Sequence, residues 1–412
     1  MTINYKKLGL IVVFLIVAAA IGYAIFIFFF KPTVEQTQNS LNNQTNTGNG
    51  LPQAGEGTIN TGTNNNPTQL PSGENNNNAN NQPTTTPNTS SNNQDLTTNL
   101  GIQVADTKIT TSGQMQYYNP SDNKFYKLGA DGKPVTMSDK QFFDVKNVVW
   151  SPTSDKAVLE FPDGSKIRYN FTTKEQVTLP KHWQDFDFSP NGDKLVAKSM
   201  GIDPENRWLI VSNDDGTQAK KIESLGENGG DVTSSWSPNN QTIAMYAKGI
   251  DFNRKEVYFL GQNNENFKSM IVEGRDFRPK WSPKGDELLY SVYSADNDYK
   301  PTLWLVDAQG DNIGGNRRPV GLDTWADKCS YSTNAVYCAV PQTLERGAGL
   351  FPATSDSTPD NLYRINPQTG IKEQINLGNG SYTMKNLSVS PDGQYLYFTD
   401  TSTGTLRKIK LK

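Results

Sequence analysis

Histidine and cysteine are nearly absent: the 412 residues contain one histidine, His182, and two cysteines, Cys329 and Cys338. A Ser-His-Asp hydrolase needs its histidine beside a nucleophile, and no Gly-x-Ser-x-Gly elbow occurs in the sequence. Two cysteines and one distant histidine do not form a zinc ligand set. Neither the glycine-rich phosphate loop ending in Gly-Lys-[Ser/Thr] nor the His-Glu-x-x-His metal helix appears. No cofactor and no metal are therefore expected. Basic residues number 39 against 42 acidic ones, a net charge of −3, and no basic block interrupts this balance. Arg317-Arg318 and Lys220-Lys221 read as solvated turns, so nucleic-acid binding is disfavoured. Acidic residues are plentiful, which leaves a two-carboxylate glycosidase or a calcium-dependent lyase as the enzyme classes still open. The Asp-Gly and Asp-Asp-Gly sequences sit where hairpin turns are needed, and that explanation suffices for them.

What the chain does have is a repeat. An aromatic or valine followed by Ser-Pro occurs at Trp150-Ser151-Pro152, Phe188-Ser189-Pro190, Trp236-Ser237-Pro238, Trp281-Ser282-Pro283 and Val389-Ser390-Pro391, with a degenerate copy at Tyr331-Ser332. Proline closes a strand where no ladder donor is needed. Turn pairs such as Asn191-Gly192 and Asp392-Gly393 then tolerate positive φ. An apolar strand follows, for example Leu195-Val196-Ala197 or Leu288-Leu289-Tyr290, suited to burial on both faces. A third strand such as Leu303-Trp304-Leu305-Val306 and a more polar fourth complete the unit. Spacings of roughly 40 to 60 residues match the blade of a β-propeller, one four-stranded sheet per repeat. The fold class is all-β: six blades, or seven if Gln114–Met137 form a blade of their own. Lys133–Met137 is expected to supply the fourth strand of the last blade and close the ring. A β-sandwich with chance Ser-Pro turns is the alternative.

The unit Trp-Ser-Pro-x-Gly-x-x-Leu-x-Tyr, followed by an aromatic-aliphatic strand and an Asp-x-x-Gly turn, resembles the WD-like repeat of TolB-type β-propellers. The same blade type occurs in prolyl-oligopeptidase-type enzymes. The resemblance covers about residues 113–412 and implies the fold. No TolB-type N-terminal domain and no hydrolase domain is recognisable, so the functions of those parts do not transfer.

Ahead of the repeats, Leu8 to Phe30 is an unbroken run of 23 uncharged, mainly apolar residues. That length spans about 30 Å of hydrocarbon as a helix and exceeds a signal-peptide core. Lys6-Lys7 before it against Lys31 after it favours a cytoplasmic N-terminus. Residues 1–7 then form a short cytoplasmic tail, 8–30 a signal anchor, 31–105 an Asn/Thr/Gln-rich disordered stalk, and 106–412 the propeller; a cleaved signal peptide is the alternative for the apolar run. The stalk's composition offers too little apolar surface to offset ordering, and some 70 flexible residues average on the order of 45 Å end to end. This places the propeller outside the cell membrane.

Cys329 and Cys338 flank the degenerate repeat. If Thr333-Asn334 form a two-residue hairpin loop, the two cysteines oppose each other within disulfide range, in a compartment that permits oxidation. Two small core thiols are the alternative. In a propeller, the loops entering the innermost strands rim the central channel. These loops carry Phe143 and Asp144; His182, Trp183 and Asp185; Asp231; Arg275, Asp276 and Arg278; Trp325 and Asp327; and Tyr382 and Lys385. Aromatics beside carboxylates and arginines suit a peptide, a protein loop or a glycan of the cell envelope. For Trp183 and Trp325, packing between blades is the competing explanation. The expected function is binding without catalysis; a glycan-active hydrolase or lyase using acidic rim residues is the alternative.

Overall fold

The Ser-Pro turns close as their chemistry dictates. In Ser189-Pro190-Asn191-Gly192-Asp193, Ser189 Oγ donates to Asp193 Oδ1 at 2.6 Å and accepts the Lys194 amide at 3.0 Å. Gly192 takes φ +68°, and its N–H returns to the Ser189 carbonyl at 2.8 Å. Ser282 repeats the arrangement, with Asp286 at 2.7 Å and the Glu287 amide at 3.2 Å. Proline costs nothing in such a turn, because the donor it lacks would point to solvent.

A computed structural model describes residues 96–411 apart from Ser154. The anchor at residues 8–30 and the stalk up to residue 95 lie outside the described residues. Among the described residues no helix is long and apolar enough to cross a membrane. The strands form seven antiparallel sheets of four strands each. Their innermost strands are Ala105–Ile109, Asn147–Trp150, Trp183–Phe188, Val232–Ser234, Arg275–Trp281, Cys329–Tyr331 and Met384–Val389, which define blades 1 to 7. Each second strand is sealed between neighbouring blades. Ala157, Val158 and Leu159, for instance, are fully buried, which explains why these strands read as continuous apolar runs. Core clusters bridge blades rather than fill single sheets: Tyr118 and Phe125 of blade 1 pack with Trp150 and Leu159 of blade 2.

Two sequence expectations are corrected. The ring has seven blades rather than the favoured six, because residues 105–136 form a complete sheet of their own. Lys133–Met137 does not close the ring; Pro134–Thr136 is the outermost strand of blade 1. Closure comes instead from Thr97–Gln103, which pairs with Thr405–Lys410 from Thr97↔Ile409 to Gln103↔Thr405. This strand falls inside the stretch assigned to the stalk, so the propeller starts before residue 106. Its outward positions are polar, and only Leu100 and Ile102 pack on the cluster around Leu406. Thr97 Oγ1 adds a bond to the Tyr382 hydroxyl at 2.8 Å.

Uniting both chain ends in one blade removes an open sheet edge and ties the first blade to the last. A chain lacking residues 1–103 should therefore be about 3 kcal/mol or more less stable to urea than one lacking residues 1–95. Equal midpoints and slopes for the two would show that the strand contributes nothing to closure.

Candidate functional site

Seven innermost strands face a channel, and their inner edges have no backbone partner. Side chains from adjacent blades answer the exposed amides. Asp185 Oδ2 accepts the Ser234 amide at 2.9 Å, and Asp187 Oδ2 accepts that of Trp236 at 2.7 Å. Ser330 Oγ accepts from Val389 at 3.2 Å, and Asp360 Oδ2 from Met384 at 2.7 Å. Asp106 takes the Val148 amide, while burial pushes its carboxyl up to about 6. Several of these strands carry a bulge. Asp106, Asp185, Asp276 and Asn386 sit at the register shifts with φ between 48° and 55°. Asp and Asn tolerate this left-handed conformation better than other side chains.

Lys108, Asp187 and Lys280 put charge around the channel, and the rim reading missed this trio. A signal was present: the residue just before each repeat aromatic or its equivalent is Lys108, Val149, Asp187, Ser235, Lys280, Ser330 or Ser388, polar in every blade but one. Burial pushes Asp187 up to about 6, against the stabilising Trp236 amide and the Lys108 charge. Burial brings Lys280 down to about 8, Asp327 opposing the change and Lys108 adding to it. Both side chains remain partly accessible from the channel, so the burial cost is smaller than in a sealed interior. Lys280 Nζ donates to the Cys329 carbonyl of blade 6.

The structure sorts the rim residues read from the sequence. Arg278, Trp325, Asp327 and Lys385 come together around a cavity of about 240 Å³ at the meeting of blades 5, 6 and 7. Arg278 joins Asp276 at 2.8 Å to Asp327 at 2.9 Å, and Lys385 pairs with Asp356 at 2.8 Å. Trp325 is 5% exposed, and its buried indole N–H has no hydrogen-bond partner among the described residues. Arg275 lies apart from this group and stacks on Phe252 at 4.9 Å. Asp231 is paired with Lys255 at 3.0 Å, and Asp185 with Lys198 at 3.0 Å. Trp183 belongs to the core cluster of Leu179, Phe186 and Phe188. Tyr382 is likewise core, packed with Met384 and Phe398 and capped by Arg407 at 4.3 Å. Neither aromatic offers a face to a ligand. Within blade 6, the fully buried Cys329 and Cys338 are directly opposed on neighbouring strands and joined by a disulfide.

No protein-family model matches the sequence, and no curated protein matches it. Solved structures do match. The β-propeller domain of Myceliophteria thermophila Cps50 (Swd1) superposes with a TM-score of 0.52 at 10% identity, covering 75% of this chain and 97% of that one. Oligogalacturonate lyase from Vibrio parahaemolyticus gives 0.47 at 12% identity, over 77% of this chain and 93% of the lyase. TolB from Acinetobacter baumannii gives 0.42 at 14% identity, over 63% of each chain. The chain spans only 33% of another, larger protein that it matches. At such identities the likeness shows the propeller fold and nothing of the activity.

The Asp187 shift has a definite sign. Its folded value, about 6, lies above the ordinary 3.8, so the folded state holds the extra proton between these values. The resulting stabilisation is complete below about pH 4 and is lost as pH rises through about 6. Relative to Asp187→Asn, the unaltered protein should lose about 1–2 kcal/mol between about pH 4.5 and pH 7, discounted for channel water. Urea unfolding of both proteins across that range measures it; parallel profiles would refute the assignment.

Proposed function

We propose that this protein is a membrane-tethered, extracytoplasmic binding module that docks a protein on the propeller face bearing the Trp325 cavity. One observation carries the reading. Connections from second to third strand, and from each blade to the next, emerge on the same face of an up-and-down ring. Of the ten large apolar side chains that are exposed among the described residues, six lie on those connections: Phe143, Ile202, Ile250, Phe252, Leu350 and Phe351. Ile202 is 94% exposed and Phe351 66%. Scattered exposed apolar residues need no explanation, but their concentration on one face does. Apolar anchors around polar cavities, with Arg275 stacked on Phe252, have the make-up of a protein-docking surface. Propellers bind through such loop faces without needing chemistry of their own.

The glycan-active alternative finds less support. A glycosidase needs two carboxylates with a glycosidic oxygen between them. The rim carboxylates that do approach each other, Asp276 and Asp327, have the Arg278 guanidinium between them. That group occupies the space where the scissile bond would sit. The tether rests on the 23-residue run Leu8–Phe30, and the Cys329–Cys338 disulfide is in keeping with an oxidising compartment.

Phe252→Ser and Phe351→Ser leave the buried strands untouched, so melting should be preserved. Each should weaken capture of a partner from envelope extract at least about fivefold, the scale of an interface anchor. Partner capture unaffected by the double variant would reject the docking face. Protease added to intact spheroplasts should release a soluble propeller by cutting within residues 31–95. Full protection until lysis would put the propeller inside the cell.

A further inference from the structure

Blade 6 breaks the repeat where blades 2 to 5 and blade 7 close with Ser-Pro. Tyr331 stands at the position of Trp281, and Ser332-Thr333-Asn334-Ala335 leads to Val336. Between the opposed pairs, four residues thus replace the six of Ser282–Glu287, without proline. The Ser332 amide donates to the Ala335 carbonyl at 2.8 Å, closing a tight hairpin. Its base is held by the Cys329–Cys338 disulfide two residues behind Tyr331. The shortened turn lies against a hollow of about 800 Å³ on the face opposite the Trp325 cavity. Blade 5's Ser-Pro turn, the blade 6 hairpin and blade 7's Val389–Pro391 bound it.

Three features of the hollow point to a ligand. It is acidic: Asp286, Glu287 and Asp307 line it, against the single cation Lys284. The acids crowd one another. Burial raises the Glu287 carboxyl, Arg318 opposes this, and Asp286 and Asp307 add repulsion. Arg318 engages Glu287 at 2.8 Å, whereas neither Asp286 nor Asp307 has an ion-pair partner among the described residues. Tyr331, in addition, has no well-formed hydrogen bond for its hydroxyl. In blades 2 and 5 the equivalent indole bonds the neighbouring blade, Trp150 to the Asp106 carbonyl at 2.9 Å and Trp281 to Ser235 Oγ at 3.1 Å. The Tyr331 hydroxyl is buried with no partner of good hydrogen-bonding geometry; after burial itself, the charge of the nearby Glu287 carboxylate and a poorly formed hydrogen bond to it raise its pKa further. A buried hydroxyl without a well-formed bond is destabilising, so its retention calls for a reason. Finally, Pro283, Pro367 and Pro391 supply rigid apolar walls beside hydroxyl and amide groups, a combination suited to an extended main chain.

We propose that this hollow binds an extended peptide segment carrying a lysine or arginine, its cationic side chain lodged between Asp286 and Asp307. The Tyr331 hydroxyl donates to a main-chain carbonyl of that segment. The departure of blade 6 from the repeat is then the origin of the site, and the disulfide keeps the short hairpin from yielding when the peptide enters. This site is independent of the docking face on the other side of the ring.

The probe is fluorescein-labelled trilysine, titrated against the full-length protein by anisotropy, with spermidine as competitor. Trilysine should bind, and binding should weaken as salt rises from about 20 to about 200 mM. Tyr331→Phe removes a hydroxyl that makes no well-formed hydrogen bond in the free protein, so it should melt close to the parent yet bind at least about fivefold more weakly. Asp307→Asn should weaken binding similarly, and Thr333→Trp, which fills the hollow from an exposed hairpin tip, should abolish it. Arg278→Ala on the other face should bind normally. Absence of trilysine binding, or equal binding by Tyr331→Phe and Thr333→Trp, overturns the site. Spermidine competing as strongly as unlabelled trilysine overturns the peptide assignment, because charge alone would then suffice.

Discussion

The unpaired inner edge of each blade is the constraint on which the rest of this ring depends. A four-stranded sheet satisfies its own ladder, but the strand lining the channel has amides with nothing beside them except the next blade. Each amide left without a partner costs about 1–3 kcal/mol. The protein meets this with short polar side chains from one blade reaching the backbone of the next: Asp106 to Val148, Asp185 to Ser234, Asp187 to Trp236, Ser330 to Val389 and Asp360 to Met384. These bonds join blades in series, so their value depends on the ring being closed. The strand Thr97–Gln103 is what closes it. The same constraint explains the bulged aspartates. Forcing Asp185 into left-handed backbone aims its carboxylate at the neighbouring strand, a local strain offset by two contacts, Ser234 and Lys198.

That constraint also shows why polar residues on a channel wall are weak evidence of chemistry. Asp187 has a raised pKa and sits in a cleft, which in isolation is the profile of a catalytic acid. Its carboxylate is nevertheless committed to the amides of Trp236 and Phe188. The rim residues Asp185, Asp231, Asp276 and Asp327 tell the same story, tied to a lysine, an arginine or an amide. The loops of that face meanwhile carry the exposed Phe252, Phe351 and Ile202, and it is on these that the proposed docking rests.

The fold was legible wherever the Ser-Pro turn supplied punctuation, because that turn couples a serine-capped hairpin to a buried strand on each side. It was illegible at both ends of the ring. Blade 1 turns through Thr110-Thr111-Ser112-Gly113, which closes its hairpin without the aromatic or the proline. The closing strand Thr-Thr-Asn-Leu-Gly-Ile-Gln is an outermost strand with one face in water, and its composition merges with the Asn/Thr-rich stretch before it. At the rim, sequence order placed the loops correctly but not the side chains. An aromatic in a blade-to-blade connection serves equally to cover the gap between sheets, and Trp183 and Tyr382 do so. Arg278, Trp325 and Asp327 converge because the bulge beside Asp276 turns Arg278 toward the next blade, a backbone effect with no signature in residue spacing.

Repeats reveal function chiefly where they fail. Five blades conserve the Ser-Pro turn within this one chain because it answers its own polar groups and packs against its neighbours, which is a local optimum for stability. Blade 6 gives up the proline, two residues of the turn and the indole bond to the adjacent blade, and it retains a buried hydroxyl with no well-formed hydrogen bond. None of these changes helps the isolated fold. The two cysteines of the chain stand in the same hairpin, restoring by covalent bond the rigidity that the lost turn would have provided. A cross-link placed at a repeat that has lost its Ser-Pro turn is in keeping with the irregular shape itself being held, and the acidic hollow beside Tyr331 is bounded by that shape.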